Sequence, residues 1–345
     1  MNKKWMQRCL HLAKKGQYGA APNPMVGSVL VYNNRIIGEG FHQAYGGPHA
    51  EVNAFANVKT ADEVLLQEAI LYVSLEPCAH YGLTPPCAEL VVKKKVKKVV
   101  IACTDPNPKV FEKGINIIRE AGIEVEIGLL QAEAVELNKR FITVQQKKRP
   151  YIVLKFAQSQ DGFMAGDTDE PIWLSNELTR YYTHKWRALE SAILVGRKTA
   201  AIDNPSLNVR NWSGAHPLRV VLDRENQLDK NLYLFDGNIP TLVFTETTTP
   251  SALNNVSFIH IDFTKNVWQQ IFTQLHLQKI QSVLIEGGTK VLQSLVDENL
   301  WDEARIFTAT NTYLRSGKKA PLIVGKKQSE KTLRDNLLTI YRNTL

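Results

Sequence analysis

The strongest constraint on the fold is an alternation of short apolar strands with amphipathic helices that is interrupted once. The first series reads as strands at 26–32, 35–38, 69–75, 98–103 and 124–130, with helices at 50–57, 88–95, 113–121 and 132–146. An opening helix precedes it, because Trp5, Met6, Cys9, Leu12 and Ala13 share one face and Gly16 is a natural stop. Asn33-Asn34 tolerates positive φ and can turn the first strand into the second. Lys147-Lys148-Arg149-Pro150 then breaks the pattern, and a charged run ending in proline reads as a boundary. A second series follows, with strands at 151–156, 192–195, 219–222, 241–244, 258–261, 282–285 and 304–309 and helices at 176–189, 267–277 and 289–299. Strands and helices in alternation bury their apolar faces as a sheet covered by helices. The pattern therefore predicts two α/β domains, 1–147 and 150–345, and 345 residues is a length for two cores rather than one.

Bulk properties narrow the function classes. Hydrophobic residues make up 44%, too many for a disordered chain, yet no apolar run is long enough to span a bilayer. The stretch after Met1-Asn2-Lys3-Lys4 lacks the continuous apolar core of a secretory signal, so a cytoplasmic protein without a membrane partner is expected. Four cysteines in a large intracellular chain point to metal binding or burial rather than disulfides. Cys9 and Cys103 read as core residues. The net charge of +8 suits an anionic partner: a phosphate, a dinucleotide or a nucleic acid. Much of the excess lies in short runs such as Lys93-Lys94-Lys95, which read as solvated surface and alone favour neither RNA nor a phosphorylated metabolite.

Chemistry concentrates in two elements of the first series. His49-Ala50-Glu51 supplies an imidazole at a helix start. Pro77-Cys78 and Pro86-Cys87 supply two thiols. One nitrogen and two sulfurs form a three-ligand zinc site with a position left for water, which is what separates a catalytic zinc from a closed structural one. Glu51 can approach that water as general acid and base without being a ligand. A His-x-Glu element ahead of a Pro-Cys element is the arrangement of the zinc deaminases, where cysteines usually stand three apart. Here Cys87 follows Cys78 by nine positions, and Gly82, Pro85 and Pro86 make a stiff loop that can return the chain to the metal. A closed structural zinc, with His80 or His42 as fourth ligand, is the alternative, and it leaves Glu51 without a role.

Further runs surround these ligands. Pro22-Asn23-Pro24-Met25-Val26-Gly27, Gly40-Phe41-His42, Pro48-His49-Ala50-Glu51, the Cys78–Cys87 loop with Thr84-Pro85-Pro86-Cys87, and Asp105-Pro106-Asn107-Pro108 together resemble the bifunctional pyrimidine deaminase/reductase family of riboflavin biosynthesis. The second series extends the resemblance over nearly the whole chain. The resemblance implies a cytidine-deaminase-like three-layer αβα domain followed by a dihydrofolate-reductase-like α/β domain, with Zn2+ and NADPH as cofactors. The partner it implies is a small phosphorylated pyrimidine, with no nucleic acid; a homo-oligomer is compatible with it. It assigns His49, Cys78 and Cys87 to the metal, Glu51 to catalysis and Asn23 to the pyrimidine, although a proline-flanked turn accounts for Asn23 equally well by residue type. In the second domain it assigns Arg187, Leu207, Arg210 and Glu286 to substrate, and Gln158, Trp173, Thr199, Asp203 and Gly288 to NADPH. Lys155 and Ser159-x-Asp161-Gly162 resemble that domain's first strand and turn. Glu286-Gly287-Gly288-Thr289 ends a strand and opens a helix, where free backbone N–H groups suit a phosphate.

The chain departs from the family pattern in three places. Leu83 stands where Lys or Arg is common. Gln158 and Gln160 replace Ala and Leu around Ser159. The strand after Asp302-Glu303 runs into Thr308-Ala309-Thr310-Asn311-Thr312-Tyr313 rather than an Ala-Pro-Lys-Leu-Leu-Gly-like segment. Two other functions stay open at this level. A nucleic-acid base deaminase should interleave aromatics with its basic residues, and 93–98 has none. A working deaminase joined to a non-catalytic reductase-like domain would fit the second and third departures.

Overall fold

A computed structural model describes residues 2–344 apart from 83–84, 108–109, 169–171 and 248–252. The chain divides into two compact units, Met1–Lys148 and Arg149–Leu345.

In the first unit, α1 (Lys3–Lys14) precedes a hairpin of β1 (Gly27–Tyr32) and β2 (Arg35–Phe41), turned by Asn33 and Asn34 at φ 44° and 61°. There follow α2 (Ala50–Ala56), a 3-10 helix (Thr60–Glu68), β3 (Ile70–Val73), α3 (Cys87–Lys94), β4 (Lys98–Ile101), α4 (Lys113–Glu120), β5 (Glu124–Ile127), α5 (Gln131–Leu137) and α6 (Lys139–Lys147). Among the described residues the strands form one sheet in the order β2-β1-β3-β4-β5, antiparallel at β2-β1-β3 and parallel beyond. Alternate residues of each strand feed opposite cores. Leu30, Leu71 and Val99 pack with α2, α3 and α4; Val29, Tyr72 and Val100 pack with α1, α5 and α6. The result is three layers, helix on sheet on helix.

Two expectations need correction here. The single closing helix expected over 132–146 is two helices broken at Asn138, whose backbone leaves the helical region at φ −101° and ψ 20°. Its buried carboxamide accepts from the Met25 amide and donates to the Met25 carbonyl, both at 2.8 Å, so a tertiary bond pair outweighs helix continuity. The 3-10 helix at Thr60–Glu68 has only Leu66 buried, and its weak periodicity hid it.

In the second unit β6 (Tyr151–Ser159) and β7 (Phe163–Ala165) lead to α7 (Glu177–Leu189), β8 (Ala192–Gly196), α8 (Arg197–Asp203), β9 (Leu218–Leu222), β10 (Thr241–Thr245), β11 (Val256–His260), α9 (Val267–Leu277), β12 (Ser282–Ile285), α10 (Thr289–Asp297) and β13 (Glu303–Ala309). The chain ends in β14 (Lys318–Lys319), β15 (Lys326–Leu333) and β16 (Asn336–Arg342). The main sheet runs β11-β10-β9-β8-β12-β6-β13-β16-β15, parallel from β11 to β13 and antiparallel at the last two strands. The sequence pattern gave no element after 309. The β15 edge explains this: all its residues but Leu333 are exposed, and Lys326, Lys327, Glu330 and Lys331 keep the free edge charged instead of alternating apolar with polar. Loop 310–319 folds onto the turn after β6. Asp161 accepts from the Leu314 and Arg315 amides, and β14 pairs with β7.

No helix among the described residues is long and apolar enough to cross a membrane.

Candidate functional site

Catalytic chemistry gathers at two places, one in each unit. In the first, His49 is the N-cap residue of α2, and its ring Nδ1 lies 3.5 Å from Cys78 Sγ and 3.3 Å from Cys87 Sγ. Cys78 sits in the loop after β3, and Cys87 opens α3. The Cys87 amide donates to Cys78 Sγ at 3.3 Å, and the three ligand atoms lie within 4.8 Å of one another. A hydrogen bond from Cys87, helped by His49, draws the Cys78 thiol down to about 4. The same bond and burial push Cys87 up, so the pair shares a proton that a cation would release. One imidazole and two sulfurs converging on a common point are a donor set suited to zinc with a coordination position to spare.

Glu51, one residue into α2, is 3% exposed and remains outside this ligand triad. Burial pushes its carboxyl up to about 7, with Cys78 adding to the rise. Beside it, His42 Nδ1 donates to the Pro48 carbonyl at 3.0 Å, since a carbonyl can only accept. That leaves Nε2 to accept from Asn23 Nδ2 at 3.1 Å. The ring of His42 stands edge-on to His49 at 5.4 Å, so Asn23 is held one residue away from the ligand triad with its amide orientation fixed. Glu76, two residues before Cys78, ties that loop to the start of α4: its carboxylate accepts from the amides of Asp105, Glu112, Gly114 and Ile115. Any side chain at Gly114 would place Cβ 1.9 Å from the Pro77 carbonyl oxygen, so the start of α4 abuts the Cys78 loop through bare backbone. Leu83, Thr84 and Pro108 lie outside the described residues.

In the second unit Arg187, near the end of α7, donates from Nε and Nη2 to the two oxygens of Glu286, each at 2.8 Å. Its Nη1 bonds the Asn208 carbonyl at 3.2 Å. Lys155 Nζ approaches the same carboxylate at 3.8 Å. Burial alone would raise Glu286, but Arg187 and Lys155 outweigh it and hold the carboxyl down at about 2. Burial in turn draws the Lys155 ammonium below its ordinary value. Arg210 is exposed, with Nη1 on the Asn208 side chain at 3.2 Å, and His184 Nδ1 beside it donates to the Asn208 carbonyl at 3.1 Å. The geometry separates the two arginines: Arg187 is fully engaged inside the protein, while Arg210 faces solvent. Leu207 is 2% exposed and packs in the core with φ 48°, so only its backbone can meet a ligand.

The expected cofactor residues divide likewise. Gly288 caps α10 with no side chain bonded to the first turn, and a Cβ there would stand 3.0 Å from Thr199 Oγ1. The Gly196 amide bonds the Gly287 carbonyl at 3.1 Å, which joins the starts of α8 and α10. Bare backbone N–H groups beside a hydroxyl form a cradle that fits a pyrophosphate. Asp203 ends α8 at the surface, and Trp173 is 75% exposed before α7; among the described residues neither is joined to the cradle by a hydrogen bond. Gln158 Nε2 donates to Thr308 Oγ1 at 3.2 Å. His184, Asn208 and Thr308 were missed in the sequence, because each acts through a neighbour rather than through a motif.

A three-ligand metal site on an αβα sheet, followed by a parallel-sheet domain with a phosphate cradle and a buried charge cluster, defines a fused deaminase and nicotinamide-type reductase. Known families agree. The profile described as "cytidine and deoxycytidylate deaminase zinc-binding region" matches residues 1–103, and that described as "RibD C-terminal domain" matches 150–341. The riboflavin biosynthesis protein RibD of Bacillus amyloliquefaciens is 38% identical over 94% of this chain and 88% of its own. That of Synechocystis sp. is 40% identical over 93% and 87%. The solved structure of Acinetobacter baumannii RibD superimposes with a TM-score of 0.91 at 37% identity, covering 99% of both chains. A deaminase/reductase structure from Thermotoga maritima gives 0.89 at 36% identity, covering 99% of this chain and 98% of its own. The chain belongs to the RibD family, the bifunctional deaminase and reductase enzymes of riboflavin biosynthesis, with zinc and NADPH as cofactors.

Proposed function

We propose that the domain within 1–147 deaminates 2,5-diamino-6-(5-phosphoribosylamino)pyrimidin-4(3H)-one and that the domain within 150–345 reduces 5-amino-6-(5-phosphoribosylamino)uracil with NADPH. The T. maritima relative is described by these two activities. The observation that carries the reading is the pairing, in one chain, of the His49-Cys78-Cys87 triad beside a buried Glu51 with the Lys155-Arg187-Glu286 cluster beside the Gly288 cradle.

His49 Nδ1 and the sulfurs of Cys78 and Cys87 would hold zinc, which when bound activates a water for attack on the carbon bearing the amino group. Glu51, kept dry in α2, would take one proton from the attacking water and pass it to the ring nitrogen, then carry the second from the added hydroxyl to the departing ammonia. Asn23, oriented by His42, meets the pyrimidine edge. In the second domain Thr199, Asp203, Gly288, Trp173 and Gln158 bind NADPH, which supplies hydride to the sugar carbon. Glu286 is aimed by Arg187 and meets the substrate hydroxyls, Lys155 beside it is the proton donor, and the Leu207 backbone lines the site. Arg210, being exposed, is the cation for the sugar phosphate. The enzyme acts on a small molecule in the cytoplasm, where Cys78 and Cys87 stay reduced, and a homo-oligomer is compatible with this reading.

Incubating the chain with the diaminopyrimidinone ribotide, with and without NADPH, tests the reading by product mass. Without NADPH the product should have exchanged an amino group for oxygen; with NADPH it should also have gained two hydrogens. Unaltered ribotide would overturn the deaminase assignment, and a deaminated product that consumes no NADPH would overturn the reductase assignment.

A further inference from the structure

At the carboxyl end of β6 two departures from the family pattern meet. Gln158 stands in register with Thr308 on the parallel neighbour β13, and its Nε2 donates to the Thr308 hydroxyl at 3.2 Å. The side chain is half-buried and makes no other hydrogen bond among the described residues. Its carbonyl oxygen and second N–H therefore form a free edge on an amide already held in place.

Position decides what that edge faces. Alternate residues of β6 point to opposite sides. Ile152, Leu154 and Phe156 pack with Leu292 and Leu295 of α10, and Gln158 is the next residue on that face. Val153 belongs to the opposite core with Trp186 of α7, the helix that also carries Arg187, and Lys155 follows it there. Just past Gln158, β7 bends over the same edge, where Met164 Sδ accepts from Thr289 Oγ1 at 3.9 Å. Gln158 thus lies at a strand's carboxyl end on the side of the cofactor helix, while Lys155 and Glu286 lie on the substrate side. Ligands of open parallel sheets occupy the region beyond the strands' carboxyl ends. A hydride passing from cofactor to sugar must cross between these two faces, which puts the nicotinamide ring within reach of position 158.

We propose that Gln158, braced by Thr308, recognises the carboxamide of the nicotinamide ring and so makes this enzyme selective for a cofactor with an intact amide. The inference rests on the reductase reading above. A primary amide offering one acceptor and one donor pairs with another primary amide by two complementary hydrogen bonds. The Ala common at this position has no side chain able to form either. Thr308 keeps the side chain from swinging into solvent, which limits the entropy lost on binding.

The test compares NADPH with reduced 3-acetylpyridine adenine dinucleotide phosphate, in which a methyl replaces the amide nitrogen. Dissociation constants are measured calorimetrically on the zinc-loaded full chain. Gln158→Ala is expected to weaken NADPH about tenfold, the size of one to two neutral hydrogen bonds, and to weaken the acetylpyridine analogue, which keeps the carbonyl acceptor but lacks the amide donor, by clearly less. Thr308→Val, which keeps the volume but removes the acceptor, should show the same selective loss in smaller measure. Zinc content and thermal melting of the same samples control for folding. Unchanged NADPH affinity in Gln158→Ala, or equal losses for both cofactors, overturns the inference and leaves the reductase reading standing. A wild-type chain that binds no NADPH overturns the reductase reading itself.

Discussion

Two buried carboxyls in this chain are driven in opposite directions. Glu51 is pushed up to about 7, whereas Glu286 is held down at about 2. Burial raises both, so burial is not the difference. Glu286 faces a bidentate arginine and a lysine supplied by the protein. Glu51 faces two thiols and an imidazole, whose charge balance is completed only by a cation. The reductase site is electrostatically finished within the chain; the deaminase site is finished by its metal. On the function proposed above, the carboxyl assigned to proton exchange is left uncompensated, and the one assigned to grip a ligand is not.

The sharpest way to break that contrast is to remove the cation. Cys87→Ser, or a strong chelator, should strip close to one equivalent of zinc per chain and abolish deamination. Amide exchange should quicken around α3 and α2 while 149–345 stays protected. Full zinc retention in Cys87→Ser would take Cys87 out of the site. Next, Glu51→Gln should keep the metal and lower the deamination rate by about 10² to 10⁴, the usual contribution of a positioned acid–base group. Reduction of supplied deaminated substrate by the same variant should be untouched.

Glu286→Ala attacks the other half. It leaves Arg187 and Lys155 buried without their counter-charge and should destabilise the second unit by roughly 3–5 kcal/mol. Reduction should fail, and deamination should survive. Arg210→Ala should also impair reduction without that loss of stability, because Arg210 is exposed; equal melting shifts in the two variants would erase the distinction drawn between the arginines. The pH response has a definite sign. A carboxyl lowered on folding adds stability that is complete above its unfolded value, near 4.5, and is lost as pH falls toward about 2. Glu286→Gln should therefore flatten the acid limb of the second unit's unfolding curve, and an unchanged limb would show the pair is not coupled to folding.

The smallest effect concerns Leu83. Leu83→Lys should lower the deaminase's Michaelis constant for the diaminopyrimidinone ribotide by up to about fivefold, the range of an exposed charge pair. The dephosphorylated nucleoside should respond little. An unchanged ratio between the two substrates would show that position 83 does not face the phosphate.

The sequence disclosed elements with strong apolar periodicity and residues bound by a short motif. The parallel strands β8, β9, β10 and β12 each carry a run of at least three apolar residues and were readable. His49, Glu51, Cys78 and Cys87 were readable because metal chemistry admits few residue types. What stayed hidden depends on distant partners. The break at Asn138 requires Met25, and β15 is a strand only because β16 pairs with it. Arg187 reads as a substrate arginine until Glu286, 99 positions on at the end of β12, accepts from its Nε and Nη2. The link between Gln158 and Thr308 spans 150 positions and has no local signal.

The Asn138–Met25 pair also bears on the order in which the protein is made. The segment carrying Asn23 leaves the ribosome early, but the carboxamide that grips its backbone from both sides emerges 113 residues later. The edge proposed to meet the pyrimidine lacks this anchor until Asn138, between α5 and α6, has been synthesised, just before the second unit begins. A nascent chain therefore passes through a long interval with its metal ligands present and its substrate edge untied. A fragment that includes Cys87 but ends before residue 138 should keep the three metal ligands yet hold the pyrimidine poorly.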